Sequence, residues 1–225
     1  MKIALISVHG CPVVRAGEKD TGGMNVYLLE TAKEFARRGI CVDVFTRTHD
    51  LADPEVVELE PGARVIHVSS GPPKTEKNDV FPLLDDFSSK ISAYTNFYGL
   101  GYDMVWSHYW LSGWVGNELA TEWGVPHVAT FHTLAEVKNR ARVGEGDAGP
   151  RSGIERSVTA AADGIVVSTG HERAALAQLY DMPEEKVYVI PAGVDLDLFK
   201  PGDQAAARDQ LGLNGDRMLL YVGRL

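Results

Sequence analysis

Short continuous apolar runs alternate with amphipathic stretches along most of the chain. Ile3 to Val8 is the first run, followed by a long loop and then by a helical pattern from Gly23 to Arg38. In that pattern Met24, Tyr27, Leu28, Thr31 and Phe35 recur at i, i+3, i+4, i+7 and i+11, one face of a helical period. Arg37 and Arg38 complement the helix dipole at its end, and Gly39 can supply a left-handed cap. Further strand-like runs are Val42–Thr46, Val65–Val68, Met104–Ser107, His127–Phe131, Ile165–Ser168 and Val187–Ile190. Helical stretches lie at about 82–98, 110–123, 151–162 and 171–180. Runs that stay apolar instead of alternating predict strands covered on both faces. The fold class is therefore α/β: a Rossmann-like parallel sheet with helices on both faces.

The rhythm breaks after Pro191, where Pro, Gly and Asp dominate. The pattern divides into a domain over 1–192, a linker over 193–203 and the start of a second α/β domain over 204–225. That start comprises a short helix at about 203–211 and a strand-like run from Met218 to Leu225. A lone strand cannot bury its faces, so a second domain cut short at Leu225 is expected.

Composition narrows the partners. Hydrophobic residues make up 44% and charged residues 24% of the 225 positions, ordinary for a globular chain. The formal net charge is −9 and no Lys/Arg run stands out, which argues against a nucleic-acid surface. A small phosphorylated ligand stays open, because a few local cations suffice for it. Cys11 and Cys41 sit in unrelated contexts without metal-ligand spacing and are expected as buried, reduced thiols. The apolar N-terminus is too short for a signal peptide and reads as a first strand. No apolar run reaches membrane-spanning length, and a cytoplasmic location is expected.

Candidate chemistry begins with Asp20-Thr21-Gly22-Gly23 at the start of the first helix. Two glycines there let a ligand approach closely and aim backbone N–H groups at an anion, a phosphate or diphosphate foremost. Gly-Gly is also a common flexible turn. No G-x-G-x-x-G, Walker A, H-E-x-x-H or G-x-S-x-G pattern is present, which removes the commonest dinucleotide, NTPase, zinc-protease and serine-hydrolase readings. His9, His108-Tyr109-Trp110 and His132-Thr133 each follow a predicted strand. One such histidine is more often structural; three at corresponding strand ends point to a polar pocket, and their spacing does not suggest a metal site. Lys77, Arg151 and Arg156 alone read as solvated charges. Together with Thr133 and Tyr109 they could form a phosphate cage.

Five separated motifs now stand in order: Asp20-Thr21-Gly22-Gly23-Met24-Asn25-Val26-Tyr27, Ser107-His108-Tyr109-Trp110-Leu111-Ser112-Gly113, Phe131-His132-Thr133, Val189-Ile190-Pro191-Ala192-Gly193-Val194-Asp195 and Tyr221-Val222-Gly223-Arg224-Leu225. Together they resemble glycosyltransferase family 4 over essentially the whole chain. The resemblance implies the N-terminal, acceptor-binding half of a GT-B glycosyltransferase. It also implies retaining transfer from a nucleotide-diphosphate sugar, UDP-sugar foremost, with no cofactor and no required metal. By the same resemblance Gly22 and Gly23 meet the donor diphosphate, and His132 lies at the reacting sugar as the catalytic candidate. Lys77, Tyr109, Thr133 and an arginine at or near Arg151 hold an acceptor phosphate, with Asn25 beside the acceptor. The strand-end and loop reading adds His9 and Arg156 to this acceptor set. The family's Arg/Lys pair and E-x7-E acids belong to the other domain, so this chain alone is expected to bind a sugar phosphate weakly without turnover. Expected partners are a nucleotide sugar and a small phosphorylated acceptor, with neither nucleic acid nor membrane, and a homodimer is left open. The alternatives are an unphosphorylated glycan or lipid-linked acceptor, a non-catalytic sugar- or nucleotide-binding module, and a UDP-sugar epimerase of GT-B architecture.

Overall fold

The structure is a computed structural model that describes residues 1–13, 22–141, 149–213, 215 and 217–222. Its strands are β1 (Lys2–Ile6), β2 (Cys41–Arg47), β3 (Val56–Glu60), β4 (Ala63–Val68), β5 (Met104–His108), β6 (His127–Thr130), β7 (Gly164–Val167) and β8 (Val187–Val189). Its α-helices are α1 (Gly23–Arg37), α2 (Leu84–Phe97), α3 (Trp110–Trp123), α4 (Ala135–Ala141), α5 (Arg151–Ala161), α6 (Gly170–Tyr180) and α7 (Gln204–Gln210). The strands form one sheet in the order β3-β4-β2-β1-β5-β6-β7-β8, parallel throughout except for β3.

Every strand that the apolar runs before Pro191 predict is present, and those at the centre of the sheet are buried on both faces, as Ile3 to Ile6 and Val42 to Phe45 show. The periodic helix is α1. Its N–H groups at Gly39 and Ile40 bond back to the carbonyls of Ala36 and Phe35, a Schellman closure that places Gly39 at φ +79°. Leu28 and Ala32 are its deepest side chains, with Asn25 beside them, so the buried face is rotated by about one residue from the expected stripe. Two elements went unread. Val56–Glu60 is an edge strand, antiparallel to β4 across the turn at Gly62, and its alternation of apolar and acidic residues marks one covered face. Ala135–Ala141 is a short helix within what reads as a loop.

The amino end of the sheet is closed by ion pairing. Asp43 of β2 accepts from Arg64 Nε (2.7 Å), Arg64 Nη2 (3.2 Å) and Tyr102 Oη (2.7 Å), with Lys2 Nζ at 3.2 Å. Burial alone would push this carboxyl up; the donors outweigh it and hold it below the ordinary aspartate value. Cys41, expected buried, begins β2 at this end and is exposed, whereas Cys11 is buried.

Met1–Pro191 forms one compact unit and Ala192–Leu225 a second. In the second, Asp203 caps α7 by accepting from the Ala206 amide (2.8 Å). Residues 218–222, expected as a strand, take no strand conformation here: β structure exists only through pairing with a neighbour. The rest of that run, Gly223 to Leu225, lies outside the described residues, as do Asp20 and Thr21.

Candidate acceptor and anion site

Strands β1, β5 and β6 are adjacent and parallel, so their carboxyl ends share one edge of the sheet. The chain winds from β1 toward β2 and β4 on one side and from β5 onward on the other. The crevice at the ends of β1 and β5 is thus the switch point where ligands of open α/β sheets bind. Tyr109 follows β5 directly, and His132 comes two residues past the end of β6. Tyr27, near the start of α1, sets its ring 5.5 Å from His132 and 5.7 Å from His108 between centroids. The glycine turn, Tyr109 and His132 therefore gather on one rim.

The histidines there are held neutral. His108 Nδ1 and His132 Nε2 are 3.0 Å apart, so one of them carries the shared proton. Burial lowers His132 to about 4. Burial, then the neighbouring His132, pushes buried His108 well below the usual value. His9 falls to about 3 through burial first, then through the charges of Lys77 and its other neighbours. The Nδ1 of His9 and the Nε2 of His108 are buried with no hydrogen-bond partner among the described residues. Tyr109 at φ +76° and ψ 160° and His132 at φ +60° adopt backbone that non-glycine residues rarely take. Strain of about 1–3 kcal/mol at each such residue is characteristic of sites where geometry serves function.

Two cations converge on Tyr109. Lys77 Nζ lies 4.0 Å and the Arg151 guanidinium carbon 4.9 Å from its ring centroid, while His9 packs at 4.7 Å between centroids. Arg151 Nη2 donates to Thr133 at its carbonyl (2.8 Å) and its hydroxyl (3.1 Å). Glu155, which the sequence did not single out, positions this arginine. It is fully buried and accepts from Arg151 Nε (2.7 Å), from the Ala135 amide (2.9 Å) and from Tyr180 Oη. The only local signal for it was the i, i+4 spacing of Arg151 and Glu155 on one helix.

Other expected residues are placed differently. Arg156 lies five residues beyond Arg151, about 140° around α5. It is half exposed, 3.8 Å from Glu136, and stacks over Tyr180 at 5.2 Å instead of joining Tyr109 and Thr133. Asn25 is buried and donates to the Cys11 carbonyl (2.8 Å), bracing the loop that precedes the glycines. Gly22 is the N-cap of α1, in extended backbone open to any residue. A Cβ on Gly23 would meet no described atom within 4 Å. Among the described residues, neither backbone conformation nor packing demands glycine at this position. The first turn of α1 carries no acidic side chain that would compete with an anion at its amino end. Beside His132 and Thr133 opens a cleft of about 470 Å³, walled on its far side by Thr169, His171 and Glu172 at the start of α6.

The model of Glycosyltransferase Family 4 matches residues 21–198. The chain is 44% identical to a D-inositol 3-phosphate glycosyltransferase of Saccharomonospora viridis, over all of this chain and 53% of that protein. It is likewise 44% identical to one of Thermobispora bispora, over all of this chain and 54% of that protein. It thus spans about half the length of the curated relatives it matches. Among solved structures, sucrose-phosphate synthase from Thermosynechococcus elongatus superposes with a TM-score of 0.84 at 35% identity, covering 94% of this chain and 52% of that one. No described helix is long and apolar enough to cross a membrane. Motif order, sheet topology and these matches agree: the chain belongs to glycosyltransferase family 4.

Proposed function

We propose that this chain forms the acceptor-binding part of a retaining glycosyltransferase that moves a sugar from a nucleotide-diphosphate sugar to a small phosphorylated acceptor. One observation carries the reading: Lys77 and Arg151 converge on the Tyr109 ring, with the Thr133 hydroxyl bonded to the same guanidinium. Ammonium, guanidinium and hydroxyl donors around one point suit phosphate oxygens. The relatives named above carry a phosphorylated sugar or cyclitol in their names, in line with that chemistry. The amides at Gly22 and Gly23 address the donor diphosphate, whose negative charge grows as the anomeric bond breaks. His132, neutral near pH 7, serves at the reacting sugar as a hydrogen-bonding group, not as a cation. UDP-sugar as donor, a cytoplasmic setting and turnover only together with a second domain belong to the same proposal.

Calorimetric titration with inositol phosphate, fructose 6-phosphate and the corresponding unphosphorylated sugars tests it. The phosphorylated ligands are expected to bind, and Lys77→Met to weaken them about 10- to 100-fold by removing one charge-assisted contact. Equal binding of phosphorylated and plain sugars would refute the phosphate assignment. Gly23→Ala separates the donor side from folding. In two-domain protein the methyl is expected to leave the melting temperature unchanged or raise it, since alanine is a better helix former by about 1 kcal/mol. Nucleotide-sugar affinity should fall nonetheless. Undiminished affinity would remove Gly23 from the donor site.

A further inference from the structure

Cys11, His49 and His67 have no part in the site above, and the fold brings them together. Strands β4, β2 and β1 are successive neighbours. Cys11 lies in the loop after β1, His49 two residues past the end of β2, and His67 in β4, paired with Thr46. One ligand atom from each lies within 4.8 Å of the other two. Cys11 Sγ and His67 Nε2 are 3.3 Å apart, close to the separation of about 3.5 Å expected between ligands on tetrahedral zinc.

The outer partners turn both imidazoles toward the centre. His67 Nδ1 is 2.7 Å from the Pro54 carbonyl, which only accepts, so Nδ1 carries the proton and Nε2 presents its lone pair. His49 Nδ1 faces Asp53 Oδ2 at 3.4 Å, and that oxygen also accepts from the backbone amides of His49 (2.8 Å) and Asp50 (2.9 Å). The same logic leaves His49 Nε2 as an acceptor, and it is buried with no hydrogen-bond partner among the described residues. A thiol has one proton and can satisfy only one of the two nitrogens. A metal ion satisfies the sulfur and both. Imidazoles held by a carbonyl and a carboxylate are the usual outer shell of metal-binding histidines.

We propose that Cys11, His49 and His67 bind a divalent transition metal, zinc foremost, with solvent completing the tetrahedron. The sulfur and nitrogen donors exclude magnesium and calcium as the preferred ion. The ion would tie the loop after β1, which leads toward the glycine turn and is braced by Asn25, to the β2–β4 side of the sheet. The assignment stands whether or not the acceptor proposal holds.

The test uses the 225-residue protein freed of metal and titrated with Co²⁺, then with Zn²⁺ in competition. One cobalt per chain is expected, with tetrahedral visible bands and a sulfur-to-metal charge-transfer band that zinc abolishes. Cys11→Ser should remove the charge-transfer band, and His49→Gln should lower cobalt affinity at least tenfold. Asp53→Asn should weaken binding about 10- to 100-fold through the outer shell. His132→Asn should leave the spectrum intact. Weak octahedral absorption alone, or a charge-transfer band that survives Cys11→Ser, would overturn the proposal. Circular dichroism of each variant distinguishes lost binding from lost folding.

Discussion

Glu155→Ala is expected to destabilise the larger unit by about 3–5 kcal/mol, the usual cost of removing one partner of a buried ion pair. The substitution takes from Arg151 its buried carboxylate, from the Ala135 amide its acceptor and from the Tyr180 hydroxyl its neighbour. Burial first, with Glu155 adding, raises the Tyr180 hydroxyl far above an ordinary tyrosine, so that hydroxyl stays protonated and must donate somewhere. Urea unfolding measures the effect. The double variant Glu155→Leu with Arg151→Met should recover most of the loss, because replacing both charges by apolar groups leaves neither ion stranded. A single variant within 1 kcal/mol of the parent would show that the pair is not the anchor described. The Thr133 contact should loosen along with the arginine, since Glu155 fixes the guanidinium that Thr133 meets.

Acidification is expected to destabilise the protein well above the pH at which most carboxylates titrate. His127 is lowered to about 4 by burial, partly opposed by Asp163, and burial with the neighbouring His132 pushes His108 well below the usual value. Both rings are buried, and His127 is held neutral by Ser107 Oγ on Nε2 and Asn117 Oδ1 on Nδ1, each at 2.7 Å. A histidine depressed by folding takes up its proton more readily in the unfolded chain. Its contribution to stability is therefore complete above the unfolded value of about 6.5 and declines as pH falls toward the folded value. The slope approaches about 1.4 kcal/mol per pH unit for each ring, or about 2 kcal/mol per ring between pH 7 and 5. His127 accounts for about 2 kcal/mol over that interval, and His108, His9 and His132, lowered in the same direction, add to it. A typical domain has only about 5–15 kcal/mol to lose. Urea midpoints at pH 7 and pH 5 provide the comparison. Equal midpoints would mean that these rings are already charged in the folded protein.

Much of this molecule was legible along the chain. The continuous apolar runs foretold the parallel strands, the repeat from Met24 to Phe35 foretold α1, and Gly39 foretold its closure, because each signal resides within a few consecutive residues. The edge strand β3 was missed since its five residues, two of them acidic, resemble a loop when no partner is in view. The strand-end residues Tyr109, His132 and Thr133 could be proposed as neighbours once a parallel sheet was inferred, since parallel strands deliver their carboxyl ends to one edge. Arg151 and Arg156 could not be separated by composition; the turn of α5 sends one to Tyr109 and the other to Glu136.

The sequence by itself determined most of the segments that become strands and helices, and it carried the family's motifs in order. Only the tertiary structure decided which distant side chains meet: Glu155 beneath Arg151, His108 against His132, and Cys11 beside His49 and His67. The reason is physical. Periodicity is written by neighbours that share one face of one element, whereas a contact between residues 11, 49 and 67 depends on the lateral order of β4, β2 and β1, which no local run of residues encodes.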